Sequence, residues 1–145
     1  MPVTVKSISL WRRELENQVG ALANTLEPLT KAGGNLQVLM GYRYPSDGTK
    51  AAIEIYPIAG KKVTAAASEA GLAASAIATL LVEGDNRPGL AFAIAQAIAG
   101  AQVNMTFFVA QAIGRKFTAV LGFETEADAK TAAPLVKKAA ATKKK

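Results

Sequence analysis

The chain is similar to itself at an offset of 69 residues, and this constrains the fold more than any single motif. Several of the matches fall at predicted turns, where geometry restricts which residue type can stand. Two copies of one structural unit, residues 1–72 and 73–145, are the simplest interpretation. The matched pairs are Ile8 and Ile77, Glu14 and Glu83, Asn17 and Asn86, Gly20 and Gly89, Ala32 and Ala101, and Asn35 and Asn104.

Each copy carries the same order of local signals, which predicts a β-α-β-β-α unit. Alternating apolar and polar residues predict the strands, and apolar residues at helical spacing predict the helices. In the first copy we predict strands at 5–13, 36–44 and 50–57 and helices at 20–32 and 61–70. In the second copy we predict strands at 76–83, 103–112 and 116–123 and helices at 89–101 and 126–141.

The helix after the first strand of each copy has one apolar face, which we expect to be buried. The predicted faces are Leu22, Leu26 and Leu29 in the first copy and Leu90, Ile94 and Ile98 in the second.

The fourth strand is predicted differently in the two copies. One long strand over 73–83 could end the first copy and begin the second, and no strand signal follows the last helix. The second sheet would then have an unpaired edge, which invites a partner chain. On this basis we expect a homodimer.

Two absences from the composition exclude much of catalytic chemistry. The chain has no Cys and no His, which removes thiol nucleophiles, zinc–thiolate sites and the usual general base. Acidic residues such as Glu124, Glu126 and Asp128 stand at a predicted helix start, where they favour the helix dipole. We therefore expect a protein that is not an enzyme, with no catalytic residue, no metal site and no cofactor.

The net charge of +6 is concentrated at one end of the chain. Five of the 17 basic residues are Lys137, Lys138, Lys143, Lys144 and Lys145. A basic tail can contact a polyanion, but no basic residues interleave with aromatic residues on the predicted strands as they would in an RNA-binding sheet. Nucleic acid is therefore not the expected partner.

The elements and turns together resemble the ACT domain family over residues 5 to about 140. In the second copy the resemblance rests on Asp85, Pro88, Gly89, Ile94, Ile98 and Asn104. In the first copy it rests on Glu16, Val19, Gly20, Leu29 and Asn35, with Val19 in place of Pro and Glu16 in place of Asp. The second copy, with its Pro-Gly pair, looks the better binder.

The resemblance implies an α+β fold of two ferredoxin-like (βαββα[β]) ACT-type units, each an antiparallel sheet with helices on one face. It also implies a regulatory protein that binds a free amino acid where ACT domains meet and signals to a partner enzyme. A purely structural or dimerisation scaffold of the same fold is the alternative. With no export signal and no apolar stretch long enough to span a membrane, we expect a soluble, cytoplasmic protein with no membrane partner.

The turn before each first helix is the predicted ligand site. The first turn of a helix offers free N–H groups to a carboxylate, and glycine lets a ligand approach the backbone. An acidic residue, Glu16 or Asp85, could meet the α-ammonium, and Asn35 or Asn104 could act as amide partners or only shape a turn. The predicted ligand-binding residues are Glu16, Asn17, Gly20, Ala21, Asn35 and Leu36, and Asp85, Asn86, Arg87, Pro88, Gly89, Leu90, Asn104 and Met105.

Overall fold

A computed structural model describes residues 3–141 of the chain, and it divides into two compact units. Lys143, Lys144 and Lys145 of the predicted basic tail lie outside the described residues. The first unit is Ser9–Ala76. The second unit is formed by the described parts of Met1–Ile8 and Ile77–Lys145. The predicted boundaries at 1–72 and 73–145 differ from this division mainly because the start of the chain belongs to the second unit.

The described residues form eight strands and four helices. In chain order these are β1 (Thr4–Ile8), β2 (Trp11–Glu16), α1 (Ala21–Lys31), β3 (Val38–Arg43), β4 (Lys50–Tyr56), α2 (Lys61–Glu69), β5 (Ala73–Ala74), β6 (Ala78–Asp85), α3 (Leu90–Gly100), β7 (Met105–Ile113), β8 (Lys116–Phe123) and α4 (Glu126–Ala141). Helices α1 and α3 are 69 residues apart at both ends, 21 to 90 and 31 to 100.

Each unit contains one four-stranded sheet in which all neighbours are antiparallel. The order is β3-β4-β2-β5 in the first unit and β1-β6-β8-β7 in the second. The two sheets are equivalent except in the source of their outermost strand, which is β5 in one and β1 in the other. The predicted α+β fold with two ferredoxin-like ACT-type units is confirmed.

The structure corrects three predictions about the strands. The predicted strand at 5–13 is two strands, β1 and β2, which belong to different sheets. The predicted long strand at 73–83 is likewise two strands, β5 and β6, separated by residues 75–77. The second sheet does not lack a fourth strand, because β1 pairs with β6 from Thr4↔Glu83 to Ile8↔Thr79. The unpaired edge on which we based the homodimer is therefore occupied.

The core of the second unit lies between its sheet and helices α3 and α4. Leu90, Ile94 and Ile98 are all buried, as their spacing predicts. They pack with residues of alternating positions on β6 and β8, including Leu80, Val82, Ala119, Leu121 and Phe123. These residues alternate along each strand and lie opposite each other, Leu80 with Leu121 and Val82 with Ala119, so they share one face of the sheet, and both helices cover that face.

The first unit has a smaller apolar core, and its α1 face is only partly buried. Leu29 is buried, whereas Leu22 is 40% exposed. The core contains Ile53, Ile55, Ala67 and Leu72. The prediction for the α1 face thus holds at Leu29 and fails at Leu22, which lies at a cavity described below.

Candidate functional site

The turns between β2 and α1 and between β6 and α3 have the same backbone shape. Gly20 has φ +84° and ψ −3°, and Gly89 has φ +81° and ψ +3°. Both lie in the left-handed region, where a Cβ is strained. Glycine at these two positions is therefore required by the local backbone, whether or not a ligand approaches it.

A cavity of about 540 Å³ opens beside the turn of the first unit. Its lining comes from the turn and the start of α1, from the end of β3 and from the first half of β4. Asn17 and Gly20 belong to the turn, and Gly41 and Arg43 belong to β3. The apolar part of the lining includes Leu15, Leu22 and Ile53.

The second unit has a smaller cavity of about 350 Å³ at the equivalent place. It lies between the turn at residues 86–89, the start of α3 and the end of β7.

Two substitutions between the units account for part of the difference in volume. The start of the helix has Ala21 in the first unit and the buried Leu90 in the second. The strand after the hairpin has Ala51, opposite Leu15, in the first unit and the buried Phe117, opposite Gly84, in the second. Larger side chains thus occupy space that the first unit leaves open.

Eight of the predicted ligand-binding residues line these cavities and six do not. Those in the first cavity are Asn17, Gly20 and Ala21. Those in the second are Asn86, Arg87, Pro88, Gly89 and Leu90. Those outside both linings are Glu16, Asn35, Leu36, Asp85, Asn104 and Met105.

Strand direction explains why Asn35, Leu36, Asn104 and Met105 lie away from the turns. Strand β2 is antiparallel to β4, and β4 is antiparallel to β3, so β2 and β3 run in the same direction. The start of β3 therefore lies at the opposite end of the sheet from the turn that follows β2. The same relation holds for β6 and β7.

Sequence reasoning missed the residues at the end of the parallel strand. These are Gly41, Tyr42 and Arg43 in the first unit and Ala110, Gln111 and Ala112 in the second. The predicted strand–helix–strand order of each unit could have identified them, because such a crossover within one sheet makes the two strands parallel. The end of the second strand then lies beside the turn that follows the first.

The charged groups near the second cavity are already paired. Lys116 Nζ lies 2.9 Å from Asp85 Oδ1. This hydrogen bond and the lysine charge hold the pKa of Asp85 below its usual range. Arg87 donates a 3.0 Å hydrogen bond from Nη2 to the carbonyl oxygen of Ala139 in α4.

The first cavity adjoins a hydrogen-bonded cluster at its lining residue Tyr42. Tyr42 donates to Oε2 of Glu54 at 2.8 Å and accepts from Nη1 of Arg12 at 2.9 Å. Partial burial raises the pKa of the Tyr42 phenol. Glu54 is fully buried, and its other carboxylate oxygen, Oε1, has no hydrogen-bond partner among the described residues.

The part of the chain that the structure describes contains no group of three or more His, Cys, Asp or Glu residues placed to hold a metal ion. Across the same residues, none of the helices is both long and apolar enough to cross a membrane.

No family model matches the chain, and no curated protein matches its sequence. Solved structures do share its fold. Protein BT0572 from Bacteroides thetaiotaomicron is similar with a TM-score of 0.73 and 17% identity, over 92% of this chain and 89% of that one.

Regulatory subunits of aspartate kinase are also similar in structure. The subunit from Thermus thermophilus has a TM-score of 0.64 and 14% identity, over 96% of this chain and 97% of that one. The subunit from Thermus flavus has a TM-score of 0.59 and 18% identity, with the same coverage. At these identities the similarity shows the fold alone, over nearly the whole length of each chain.

Proposed function

We propose that the protein is a tandem ACT-type regulator that is not an enzyme. It binds a small amino acid beside the turn that precedes α1 or α3, and it signals to a partner enzyme. One observation carries the proposal: equivalent cavities occur in both units, each between a glycine turn and the end of the adjacent parallel strand.

The chemistry of the cavities fits a small polar ligand with an apolar side chain. Free N–H groups at the start of α1 and α3 favour a carboxylate. The amides of Asn17 and Asn86 lie at the same turns, and aliphatic side chains supply the rest of the wall. We keep as proposed contacts the eight predicted residues that line the cavities.

The proposal of a regulatory role draws on the structural neighbours. Two similar chains are named as regulatory subunits of aspartate kinase, so a partner enzyme is a reasonable recipient of the signal. Co-purification from cells that produce the protein identifies the enzyme that responds.

A thermal-shift screen of the purified protein against the twenty amino acids tests ligand binding. A ligand at 100 times its Kd stabilises the protein by about 2.7 kcal/mol, which raises Tm by several degrees for a chain of this size. We expect such a shift for one chemical subset of amino acids. No shift with any of the twenty contradicts the proposal.

A cavity-filling variant identifies the site. Ala21→Leu places in the first unit the residue type found at the equivalent position of the second, and we expect it to remove the part of the ligand-induced shift that comes from the first cavity, without unfolding the protein. The matched control is Ala65→Leu on α2, where Ala65 is exposed. Retention of the full shift in Ala21→Leu would place the ligand elsewhere.

The second candidate function is a dimerisation scaffold, and a specific surface favours it. Strand β7 is an edge strand, and it exposes Val109 (46%) and Ile113 (70%). Helix α3 exposes Phe92 (68%). Light scattering at micromolar concentration distinguishes the two candidates: a dimer that shows no thermal shift with any amino acid supports the scaffold.

A further inference from the structure

The lining of the first cavity is cationic and contains no acid. Arg43 is a lining residue, and neither Asp nor Glu is among the residues that line this cavity. The other polar side chains at the turn are the neutral amides of Asn17 and Gln18. The cavity therefore has a charged partner for a carboxylate and none for an ammonium group.

The Arg43 guanidinium is free to bind a ligand. No hydrogen bond or ion pair of its side chain occurs among the described residues, and the residue is exposed. Arg12 and Arg13, by contrast, are bonded to the hydroxyls of Tyr42 and Thr25. In the other cavity Arg87 is bonded to a backbone carbonyl.

The nearby acidic residues do not supply the missing carboxylate. Glu14 and Glu16 lie on β2, and the fully buried Glu54 lies on β4, but none of the three lines the cavity. Asp47, in the β3–β4 hairpin, accepts hydrogen bonds from the Thr49 hydroxyl at 2.6 Å and the Thr49 amide at 3.0 Å. An α-ammonium group bound in the cavity would therefore have no ionic partner on its lining.

We infer that the first cavity recognises its ligand by a carboxylate, bound to Arg43, and by an aliphatic tail, and that it does not select for an α-ammonium group. A planar guanidinium binds a carboxylate through two parallel hydrogen bonds. The tail packs against Leu15, Leu22 and Ile53. A branched-chain 2-oxo acid consequently binds as well as the amino acid of the same skeleton.

The physical reason is that a site selects for a polar group of its ligand only if a ligand without that group would leave a polar group of the site unpaired. A site that hydrogen-bonds an ammonium rejects the analogue without it, because the site's own buried polar group is then unpaired. In the first cavity no acid would be left unpaired. The inference takes the first cavity as the ligand site and so rests on the proposed function.

Isothermal titration of the full chain with three probes tests the inference. The probes are leucine, 4-methyl-2-oxopentanoate and 3-methylbutylamine. The first two share one carbon skeleton, and the amine is leucine without its carboxyl group. We expect the two carboxylates to bind with Kd values within about threefold of each other and the amine not to bind, since only the amine lacks the charge-assisted contact. We expect Arg43→Gln to weaken both carboxylates by about tenfold or more.

The control is Arg115→Gln, which removes an exposed arginine from the β7–β8 turn, outside both cavities, and should leave both Kd values unchanged. Circular dichroism checks that each variant is folded. A 2-oxo acid that binds about tenfold or more weaker than leucine, or full affinity in Arg43→Gln, overturns the inference and leaves the proposed function standing. No binding by either carboxylate also overturns it. The proposed function fails separately, if none of the twenty amino acids raises Tm in the thermal-shift screen.

Discussion

Glu54 on β4 lies directly opposite Arg12 on β2, and Glu54 Oε2 is 3.2 Å from Arg12 Nη1. The Glu54 side chain is fully buried, whereas that of Arg12 is 22% exposed. In the second unit the same register pairs Leu81 with Val120, which are both buried. The two units thus have a charged pair and an apolar pair at equivalent positions of their two sheets.

This difference predicts how the pair responds to mutation. Glu54→Ala removes the nearer carboxylate from Arg12, which keeps Glu14 at 3.8 Å and two tyrosine hydroxyls, so we expect a loss of about 2 kcal/mol of unfolding free energy. Arg12→Leu combined with Glu54→Val copies the second unit and should recover most of that loss. Urea denaturation measures both. If the double variant is no more stable than Glu54→Ala, the pair is not the source of the loss.

The Asp85–Lys116 pair predicts a contribution to acid stability. The folded-state pKa of Asp85 is lowered by Lys116, so its contribution is present above the unfolded pKa and disappears as pH falls through the folded pKa. Lys116→Met should therefore flatten part of the fall in Tm between about pH 5 and pH 2. Lys130→Met, at an exposed lysine of α4, should leave the curve unchanged. Superimposable curves for the Lys116 variant and the wild type would refute this role.

The left-handed backbone at Gly20 predicts that alanine there lowers stability more than alanine at Gly100 does. Gly20→Ala puts a Cβ on a residue with φ +84° and should destabilise the protein by about 1 kcal/mol or more. Gly100→Ala meets open space at the end of α3 and should be neutral or slightly stabilising. Chemical denaturation of the two single variants provides the comparison. Equal effects would mean that backbone conformation is not the cause.

The pairing of β1 with β6 depends on the close approach of Val3 to Gly84. A Cβ at Gly84 would lie 2.7 Å from Val3 Cγ1 and 2.9 Å from Val3 Cα, too close to backbone to be relieved by a rotamer change. We expect Gly84→Ala to displace the start of the chain from β6. Hydrogen exchange should then show lost protection in β1 and β6, with β2 and β4 unchanged. Full protection in β1 would contradict the prediction.

Much of the local structure follows from short-range signals. The apolar spacing of Leu90, Ile94 and Ile98 places α3 because a helix repeats every 3.6 residues. The turn at residues 86–89 before it follows from Pro88 and from Gly89, whose backbone is left-handed, although no side chain caps the start of α3. Both signals lie within one or two turns of chain, so no tertiary information is needed to interpret them.

Local sequence signals predicted only one side of each candidate site. The turn side of each cavity was predicted, but Gly41, Tyr42 and Arg43 were not, because they meet the turn through the parallel relation of β2 and β3. The sequence also did not show that Asp85 is paired with Lys116, whose register is set across two strands.

By itself the sequence determined the β-α-β-β-α order that the two units share, the buried face of α3 and the glycine turns, because these depend on neighbours within a few residues. Tertiary structure alone decided that the chain changes sheets between Ile8 and Trp11 and again between Ala74 and Ala78. The alternation of apolar and polar residues is the same whether a strand continues in one sheet or its halves enter two. Which sheet accepts β1 depends on backbone partners about 75 residues away, at β6, and no local pattern encodes that pairing.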